Sequence, residues 1–553
     1  MTLPAGDPGS AITTSDPAAS DGDVATPDAL VRSSAVVGAG TALSRVTGLL
    51  RIVALLYALG QTRLADAYTV ANAMPNLVFE LLLGGVLTAT LVPVFVEHHD
   101  REDDGTSAVV TTATVALIVA SLVGFLAAPQ IIGAFSGSLG DASPAEIAAY
   151  QDVGTLLLRL FMPQVFFYGI MTIATAILSA HRSFAVPAFA PVLNNLLVTA
   201  MFFLVPTLMA RDMHAPTNLI ETAQDPTLVW ILGLGTTLGV AVMALATLPA
   251  VARQKLHLRL HFDLRHPAVR DVVRLSGWTI GYVAANQAAI YVVLRLASTQ
   301  GSGDVIAYTV AFTFFHLPHG LFAVSVMTAF LPELSDAAQR GLSRAFGARF
   351  GLGLRLMALV ILPASAGYMA LAGSIVDVLP ITSESVARTS EVLTALSPGL
   401  FGFSVYIFTL RGFYAHKDTR TPFVLHLGVN AANILLAIPL VASFGVVGLG
   451  VAYTLAYSAG AVVALAVLQQ RVGELGLGRC VAPIAKMSAA AVACGLAAWA
   501  VASVVHADPF VQLAAAVPVG VAVYVLVLWM AGVDEIATAR QRVGSMLTAA
   551  RPG

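Results

Sequence analysis

Charged residues are scarce in this sequence. Only 11% of its 553 residues are Asp, Glu, Lys or Arg, whereas 57% are hydrophobic. Soluble domains carry roughly 25% charged residues, so a water-soluble globule of this composition would lack the polar groups needed to cover its surface. Lipid must therefore solvate much of the chain. The composition predicts an all-α polytopic membrane protein with no soluble catalytic domain.

Cysteine is almost absent, and so are the motifs of common enzymes. Cys480 and Cys494 are the only cysteines, and they lack the spacing of metal ligands. The sequence contains no Walker loop, no G-x-S-x-G element and no H-E-x-x-H. We therefore expect a transporter rather than an enzyme, with no cofactor, no bound metal and no nucleic-acid partner.

Apolar segments of about 20 residues, long enough to cross a bilayer, recur along the chain. The fourteen predicted spans are 34–58, 66–96, 107–134, 151–180, 184–207, 227–250, 272–299, 304–335, 346–375, 389–411, 421–442, 446–469, 482–505 and 510–531. Residues 1–30 precede them as a polar tail rich in Ala, Asp, Pro, Ser and Thr. This tail lacks the pattern of a cleaved signal peptide and is predicted to be disordered in the cytosol.

The distribution of positive charge predicts the orientation. With the amino terminus placed in the cytosol, the inner segments contain 21 Lys and Arg residues and the outer segments contain 3. Those three are Arg63, Arg211 and Arg388. Because Lys and Arg concentrate in cytosolic segments, both termini are predicted to be cytosolic.

A short basic turn occurs twice, 235 residues apart. The first copy is Ala180-His181-Arg182 followed by Pro187 and Asn195, and the second is Ala415-His416-Lys417 followed by Arg420, Pro422 and Asn430. The repeat predicts two parallel six-helix lobes, 31–250 and 251–475, which is a transporter architecture. Two further helices occupy 476–535, and 536–553 forms a cytosolic tail. Arg182, Pro187, Asn195, Arg420 and Pro422 are predicted to shape structural or gating turns.

Ionisable residues inside predicted spans indicate function, because charge is costly within a bilayer. Arg45 and Arg51 lie six positions apart in the first span, so they project about 120° apart on a helix and are able to face one cavity. The planar fork of Arg suits phosphate oxygens. The pair therefore predicts a site for a phosphorylated or pyrophosphorylated head group. Arg159, Arg295 and Arg355 also lie within apolar runs.

Several motifs resemble those of the MurJ/MviN family. Residues 44–51, Ser-Arg-Val-Thr-Gly-Leu-Leu-Arg, are similar to its S-R-x-x-G-x-x-R opening. Further similar segments, in the family's order, are Ala65-Asp66-Ala67-Tyr68, Met74-Pro75-Asn76-Leu77, Val186-Pro187-Ala188-Phe189-Ala190-Pro191 with Asn195, Arg411-Gly412-Phe413-Tyr414-Ala415, and Asp418-Thr419-Arg420-Thr421-Pro422. The matches extend from about residue 34 to residue 470.

This resemblance implies the fold of the multidrug/oligosaccharidyl-lipid/polysaccharide exporters: two six-helix lobes, plus two C-terminal helices that form a groove for a lipid tail. It also implies that the protein flips lipid II, the undecaprenyl-pyrophosphate-linked peptidoglycan precursor, to the outer leaflet of the bacterial plasma membrane. Alternating access driven by the membrane potential or an ion gradient would carry the substrate. The implied partners are lipid II, membrane lipids and cell-wall synthesis proteins, with the protein itself a monomer.

The resemblance also implies which residues of this chain contact the head group. The family's cavity arginines match Arg45 and Arg51, and its span-two acid matches Asp66. With Asn76, Glu80 and Arg295, these residues form the predicted head-group cavity. The chain departs from the family where Phe79-Glu80 replaces a basic pair, where Gly84 replaces an acid, and in residues 310–318, which lack an arginine. His316 and Arg295 are candidate replacements for the missing arginines.

Three other functions fit the same sequence. The chain could export another polyprenyl-linked oligosaccharide, or exchange drugs for cations on the same fold. It could also act as a non-transporting scaffold for cell-wall assembly. The paired Arg45 and Arg51 argue against a cationic drug, because a cation site requires acidic residues facing the cavity.

Overall fold

The computed structural model describes residues 27–81, 105–137, 139–181, 183–209, 218–254, 259–473 and 475–533, and the secondary structure of these residues is helical throughout. The helices of the first half are α1 (Pro27–Leu59), α2 (Arg63–Phe79), α3 (Gly105–Leu126), α4 (Ala128–Ser136), α5 (Pro144–Phe161), α6 (Gln164–Ala180), α7 (Ala185–Leu208), α8 (Leu219–Gln224), α9 (Thr227–Leu245) and α10 (Leu248–Ala252).

The second half begins with a long helix and contains one π-helical turn. Its elements are α11 (Pro267–Ser298), α12 (Asp304–Pro318), the π-turn (His319–Ala323), α13 (Val324–Gln339), α14 (Ser343–Asp377), α15 (Ser383–Leu396), α16 (Gly399–Ala415), α17 (Arg420–Phe444) and α18 (Val447–Val472). Two further helices follow, α19 (Leu477–Val504) and α20 (Pro509–Met530).

The helices confirm an all-α membrane protein. Among the described residues, 12 continuous helical stretches are long and apolar enough to cross a membrane, or 13 when α15 and α16 count as one bent span. The predicted second span, 66–96, extends beyond the described residues, so the count of fourteen stays a prediction. The helix α1 begins at Pro27, inside the predicted tail. The remainder of that tail and the tail 536–553 lie outside the described residues.

Two of the predicted spans are broken at a proline. Pro163 separates α5 from α6, and Pro398 separates α15 from α16, which are bent by 47°. A broken helix frees carbonyl groups that must find other donors inside a membrane. The hydroxyl of Thr237 donates to Leu160 O at 2.8 Å, and that of Thr454 donates to Ala395 O at 2.8 Å. The two breaks lie 235 residues apart, which is the offset of the sequence repeat.

The repeated basic turn has the same geometry in both copies. His181 ends α6 and places its Nδ1 2.9 Å from Ile177 O, while His416 ends α16 with Nδ1 2.8 Å from Gly412 O. The predicted gating residue Arg182 lies outside the described residues. Pro422 is buried in the first turn of α17, which begins at Arg420. The sequence repeat thus corresponds to a structural one, while the predicted lobe boundaries stay a prediction.

Asp418 caps the second copy of this turn. Its Oδ1 accepts the backbone N–H groups of Arg420 at 3.0 Å and Thr421 at 3.1 Å, and its Oδ2 accepts from the Arg471 guanidinium. Partial burial on its own would raise the pKa of Asp418. The hydrogen bonds from Thr421 and Arg420 and the charge of Arg471 together outweigh that burial, so the pKa of this carboxyl lies below its ordinary value. The carboxylate therefore fixes the start of α17 in its ionised form.

The helices α19 and α20 pack on each other and on α14. Their contact includes Tyr524, whose hydroxyl donates to Leu359 O at 2.9 Å, and buried Cys494. Large apolar side chains, including Trp499 and Trp529, remain exposed on this pair, as expected for helices that face lipid. The prediction that they form a groove for a lipid tail stays untested.

Candidate functional site

Arg45 and Arg51 line one cavity of about 540 Å³ between the two halves of the protein. The first half contributes residues of α1 and α7, and the second half contributes residues of α12. The lining residues are Thr41, Ser44, Arg45, Gly48, Leu49, Arg51, Ile52, Pro187, Ala188, Pro191, Asn195, Phe312, Thr313, His316 and Leu317. We call the cavity lined by this set the arginine cavity. Its described lining residues include two arginines and no carboxylate, so their electrostatic potential favours an anion.

The helix α7 holds the arginine-bearing turn of α1 in place. The side-chain amide of Asn195 donates to Ser44 O at 3.0 Å and to the Thr47 hydroxyl at 3.1 Å. One turn earlier, Gly40 lies so close to Ala188 that a Cβ on the glycine would be 2.8 Å from Ala188 Cβ. Asn195 and Pro187, predicted as turn residues, thus contribute directly to the wall of the arginine cavity.

Arg45 also reaches the second half of the protein. Its guanidinium lies against Gly320 in the π-turn, where a Cβ would be 3.2 Å from both Cζ and Nε of Arg45. His319, in the same turn, places Nδ1 2.9 Å from the Ser404 hydroxyl and packs on Phe403. π-helical turns concentrate at functional sites. Nothing in the sequence near Gly320 signals this contact.

Asp66 lies apart from the arginine cavity. It is 3% exposed, and its two oxygens accept the backbone N–H groups of Gly303 at 2.7 Å and Ile306 at 2.9 Å. The carboxylate therefore caps the N-terminus of α12, which belongs to the opposite half. This contact lies at the end of the bundle that contains Arg63 and Arg388, which is the outer end in the predicted orientation.

The other predicted head-group residues also lie outside the arginine cavity. Asn76 is exposed, and Glu80 is half-buried just after the last residue of α2. Arg295 lies in the last turn of α11, near the Arg63 end of the bundle. Of the two candidate replacements for the missing family arginines, His316 lines the arginine cavity and Arg295 does not.

Two further arginines inside apolar helices have other surroundings. The guanidinium of Arg159 lies 5.5 Å from the ring centroid of Phe125, which is a cation–π contact. Arg355 is half-buried in α14. Neither lines the arginine cavity. Among the residues that the structure describes, no cluster of His, Cys, Asp or Glu has the arrangement of a metal site.

A second cavity of about 490 Å³ adjoins the first. Phe312 and His316 of α12 line both cavities. The remaining walls of the second come mostly from α11, α16, α17 and α18, with Thr69 and Ala73 of α2. Asn430 of this wall belongs to the sequence repeat, but no sequence pattern predicts a cavity there.

A two-lobed helical bundle with a positively charged cavity between its halves defines a membrane transporter. Residues 55–517 match the family model described as "Lipid II flippase MurJ", and the chain therefore belongs to the MurJ family. A flippase family agrees with the predicted transporter class. The chain is a multi-pass protein of the bacterial inner membrane.

Curated relatives are similar over most of their length. The probable lipid II flippase MurJ of Vibrio cholerae is 27% identical over 76% of this chain and 80% of the relative. The lipid II flippase MurJ of Burkholderia cenocepacia is 29% identical over 72% of this chain and 76% of the relative.

Solved structures show the same fold. A lipid II flippase MurJ in an inward closed conformation superimposes with a TM-score of 0.74 at 20% identity, covering 91% of this chain and 100% of that one. An inward-facing multidrug resistance MATE transporter of the MOP superfamily gives a TM-score of 0.63 at 14% identity, covering 79% of this chain and 99% of that one.

Proposed function

We propose that this chain is a lipid II flippase, which moves the undecaprenyl-pyrophosphate-linked peptidoglycan precursor from the inner to the outer leaflet. The single observation that supports this most is the arginine cavity. It has two arginines on α1 and no carboxylate among its described lining residues, and it lies between two halves that repeat one another. Membership of the MurJ family supports the same substrate.

In this proposal Arg45 and Arg51 bind the pyrophosphate, because two guanidinium forks supply paired donors to its oxygens. Asn195 orients them by fixing α1 on α7. The halves would rock about this site in alternating access, driven by the membrane potential or an ion gradient. The protein acts as a monomer with both termini in the cytosol, beside cell-wall synthesis proteins.

Replacing the cavity arginines tests this function. We expect Arg45→Ala and Arg51→Ala each to abolish lipid II translocation, measured by leaflet accessibility in cells depleted of the wild-type protein, without loss of expression. Arg45→Lys should restore only part of it, because a lysine does not bind pyrophosphate with a planar fork.

Arg159→Ala is the matched control, since Arg159 lies in an apolar helix but outside the cavity. It should leave translocation nearly intact. Normal lipid II transport in both the Arg45 and Arg51 variants would rule out their assigned role. Depletion that causes another polyprenyl-linked oligosaccharide to accumulate instead of lipid II would rule out the substrate.

The scaffold alternative predicts that other residues are essential. If the protein were only a scaffold, replacing the segment 253–266 between α10 and α11 would disrupt its role, while the cavity arginines would be dispensable. Retained flipping with a foreign segment at 253–266 counts against the scaffold, and this is the result we expect.

A further inference from the structure

The second cavity is lined by stacked aromatic rings, and we call it the aromatic cavity. Tyr282 stacks on His426 with ring centroids 3.9 Å apart and planes 15° apart, and Tyr453 stacks on Tyr457 at 4.2 Å and 29°. Phe403 packs against Tyr457 at 5.2 Å. All five side chains line the cavity. Together they offer flat apolar faces to a ligand.

Amide groups are interleaved with these rings. Asn286, Asn430 and Asn433 line the aromatic cavity, and the Asn430 amide already donates to His426 O at 3.0 Å. His426 is 2% exposed and Asn433 is 4% exposed. His426 Nε2 and Asn433 Oδ1 have no hydrogen-bond partner among the described residues. Buried polar atoms are rarely left unpaired, so these two point to a ligand that supplies the missing partners.

The lining excludes several classes of ligand. Among the residues that the structure describes, the lining contains no Asp, Glu, Lys or Arg, so none of them offers a counter-charge to a cation or an anion. An alkyl chain would leave the asparagines and His426 without partners, which is costly in a buried site. A neutral ligand with hydroxyl and amide groups and apolar ring faces satisfies both features of the wall, and a sugar has this chemistry.

We infer that the aromatic cavity binds the neutral sugars of a polyprenyl-pyrophosphate-linked substrate, an inference that rests on the proposed function. Phe312 and His316 form a wall shared with the arginine cavity. Sugars bonded to a pyrophosphate held by Arg45 and Arg51 therefore enter the adjoining cavity. The two halves divide recognition: α1 supplies charge for the pyrophosphate, and α11, α17 and α18 supply rings and amides for the sugar.

Two lipids that differ only in the sugar test this inference. The probes are the methyl ester of undecaprenyl pyrophosphate and undecaprenyl pyrophosphate bearing a neutral N-acetylhexosamine disaccharide. Both are pyrophosphate diesters of equal charge, and their binding to the purified full-length protein is measured. We expect the disaccharide lipid to bind roughly three- to tenfold more tightly, the gain of one or two hydrogen bonds to neutral groups. This comparison requires no variant.

Variants test whether the preference for the disaccharide lipid arises in the aromatic cavity. Asn433→Leu keeps a similar side-chain volume and should reduce the ratio of the two affinities towards one, because leucine offers the sugar no hydrogen bond. Arg45→Ala should lower the affinity for both lipids by the same factor. Asn194→Leu is the matched control. Asn194 is also buried with an unpartnered Oδ1, yet it lines neither cavity. The ratio of the two lipid affinities in this variant should equal that of the wild type.

The outcomes separate this inference from the proposed function. Equal affinity of the wild type for both lipids would overturn the inference while leaving the proposed function in place. A wild-type preference that survives in folded Asn433→Leu protein would overturn the assignment to the aromatic cavity. If Asn433→Leu does not fold, Tyr457→Leu serves the same purpose. Failure of the wild type to bind either lipid would overturn the proposed function itself.

Discussion

At the residue scale, Arg45 depends on a glycine for its position. Its guanidinium lies against Gly320, and a methyl group there would be 3.2 Å from Cζ. A contact this short forces either the arginine or the π-turn to move. Gly320 therefore permits an arginine of the first half to rest directly on the backbone of the second half.

Gly320→Ala should impair transport without preventing folding. The added methyl group shifts the Arg45 guanidinium by a few tenths of an ångström from the pyrophosphate position. We expect flipping to fall roughly two- to fivefold, because small displacements of positioning groups are costly. Gly367→Ala is the control: a Cβ at Gly367 meets nothing within 4 Å, so transport should be unchanged. Wild-type flipping by folded Gly320→Ala protein would show that the contact has no role.

At the element scale, the junction of α12 with the π-turn needs a hydrogen bond from outside the helix. Pro318 has no N–H, so the carbonyl of Phe314 loses its intrahelical donor. The hydroxyl of Tyr368, on α14, donates to Phe314 O at 2.8 Å. Proline is tolerated within a membrane helix when a neighbouring side chain satisfies the freed carbonyl in this way.

Tyr368→Phe should destabilise the protein by about 1 kcal/mol, because it leaves the Phe314 carbonyl without a donor. In a Pro318→Ala background the N–H of the introduced alanine can donate to the Phe314 carbonyl, so Tyr368→Phe should destabilise the protein less. Thermal unfolding of the four proteins in a double-mutant cycle measures this coupling. Equal costs in the two backgrounds would show that Tyr368 does not compensate for Pro318.

At the scale of the whole molecule, a set of polar contacts joins the two halves at the Arg63 end. Asp66 of the first half accepts the N–H groups of Gly303 and Ile306. Beside it, the Gln61 amide donates to the Thr389 hydroxyl at 2.6 Å. In the predicted orientation this is the outer end, so under the proposed function these contacts close the molecule there and must break when substrate is released.

Asp66→Asn should weaken this closure. An amide offers one oxygen in place of two, so one N–H at the start of α12 loses its acceptor and the favourable charge at the helix N-terminus disappears. We expect a loss of about 1–3 kcal/mol in thermal stability, together with reduced flipping.

Asp141→Asn is the comparison at the same end. Asp141 pairs with Arg63, but its side chain is 74% exposed, and exposed ion pairs contribute about 0–1 kcal/mol. Equal destabilisation by the two substitutions would refute a special role for Asp66.

Much of the architecture could be predicted because lipid imposes a strong pattern on sequence. Apolar segments such as 184–207 and 421–442 coincide with α7 (Ala185–Leu208) and α17 (Arg420–Phe444) to within two residues. The offset of 235 between His181 and His416 recurs in the breaks at Pro163 and Pro398. Helix length and proline position are local properties, and sequence records them directly.

The candidate site was predictable only in part. The spacing of Arg45 and Arg51 predicts a shared cavity, because six positions on one helix fix their relative direction. The predicted head-group cavity also includes Asp66 and Arg295, yet Asp66 caps α12 and Arg295 lies near the Arg63 end of the bundle. Their depth along the bundle depends on how helices from the two halves are aligned, and no sequence spacing expresses that alignment.

The sequence by itself determined the solvent, the helices, the repeat and the charge of α1, because each follows from composition or from spacing along one helix. Only the tertiary structure decided that Arg45 rests on Gly320, that Asp66 ties one half to the other, and that rings from α11, α16, α17 and α18 enclose a cavity beside the arginines. These features join residues far apart in the chain, and their distances are set by how the helices pack.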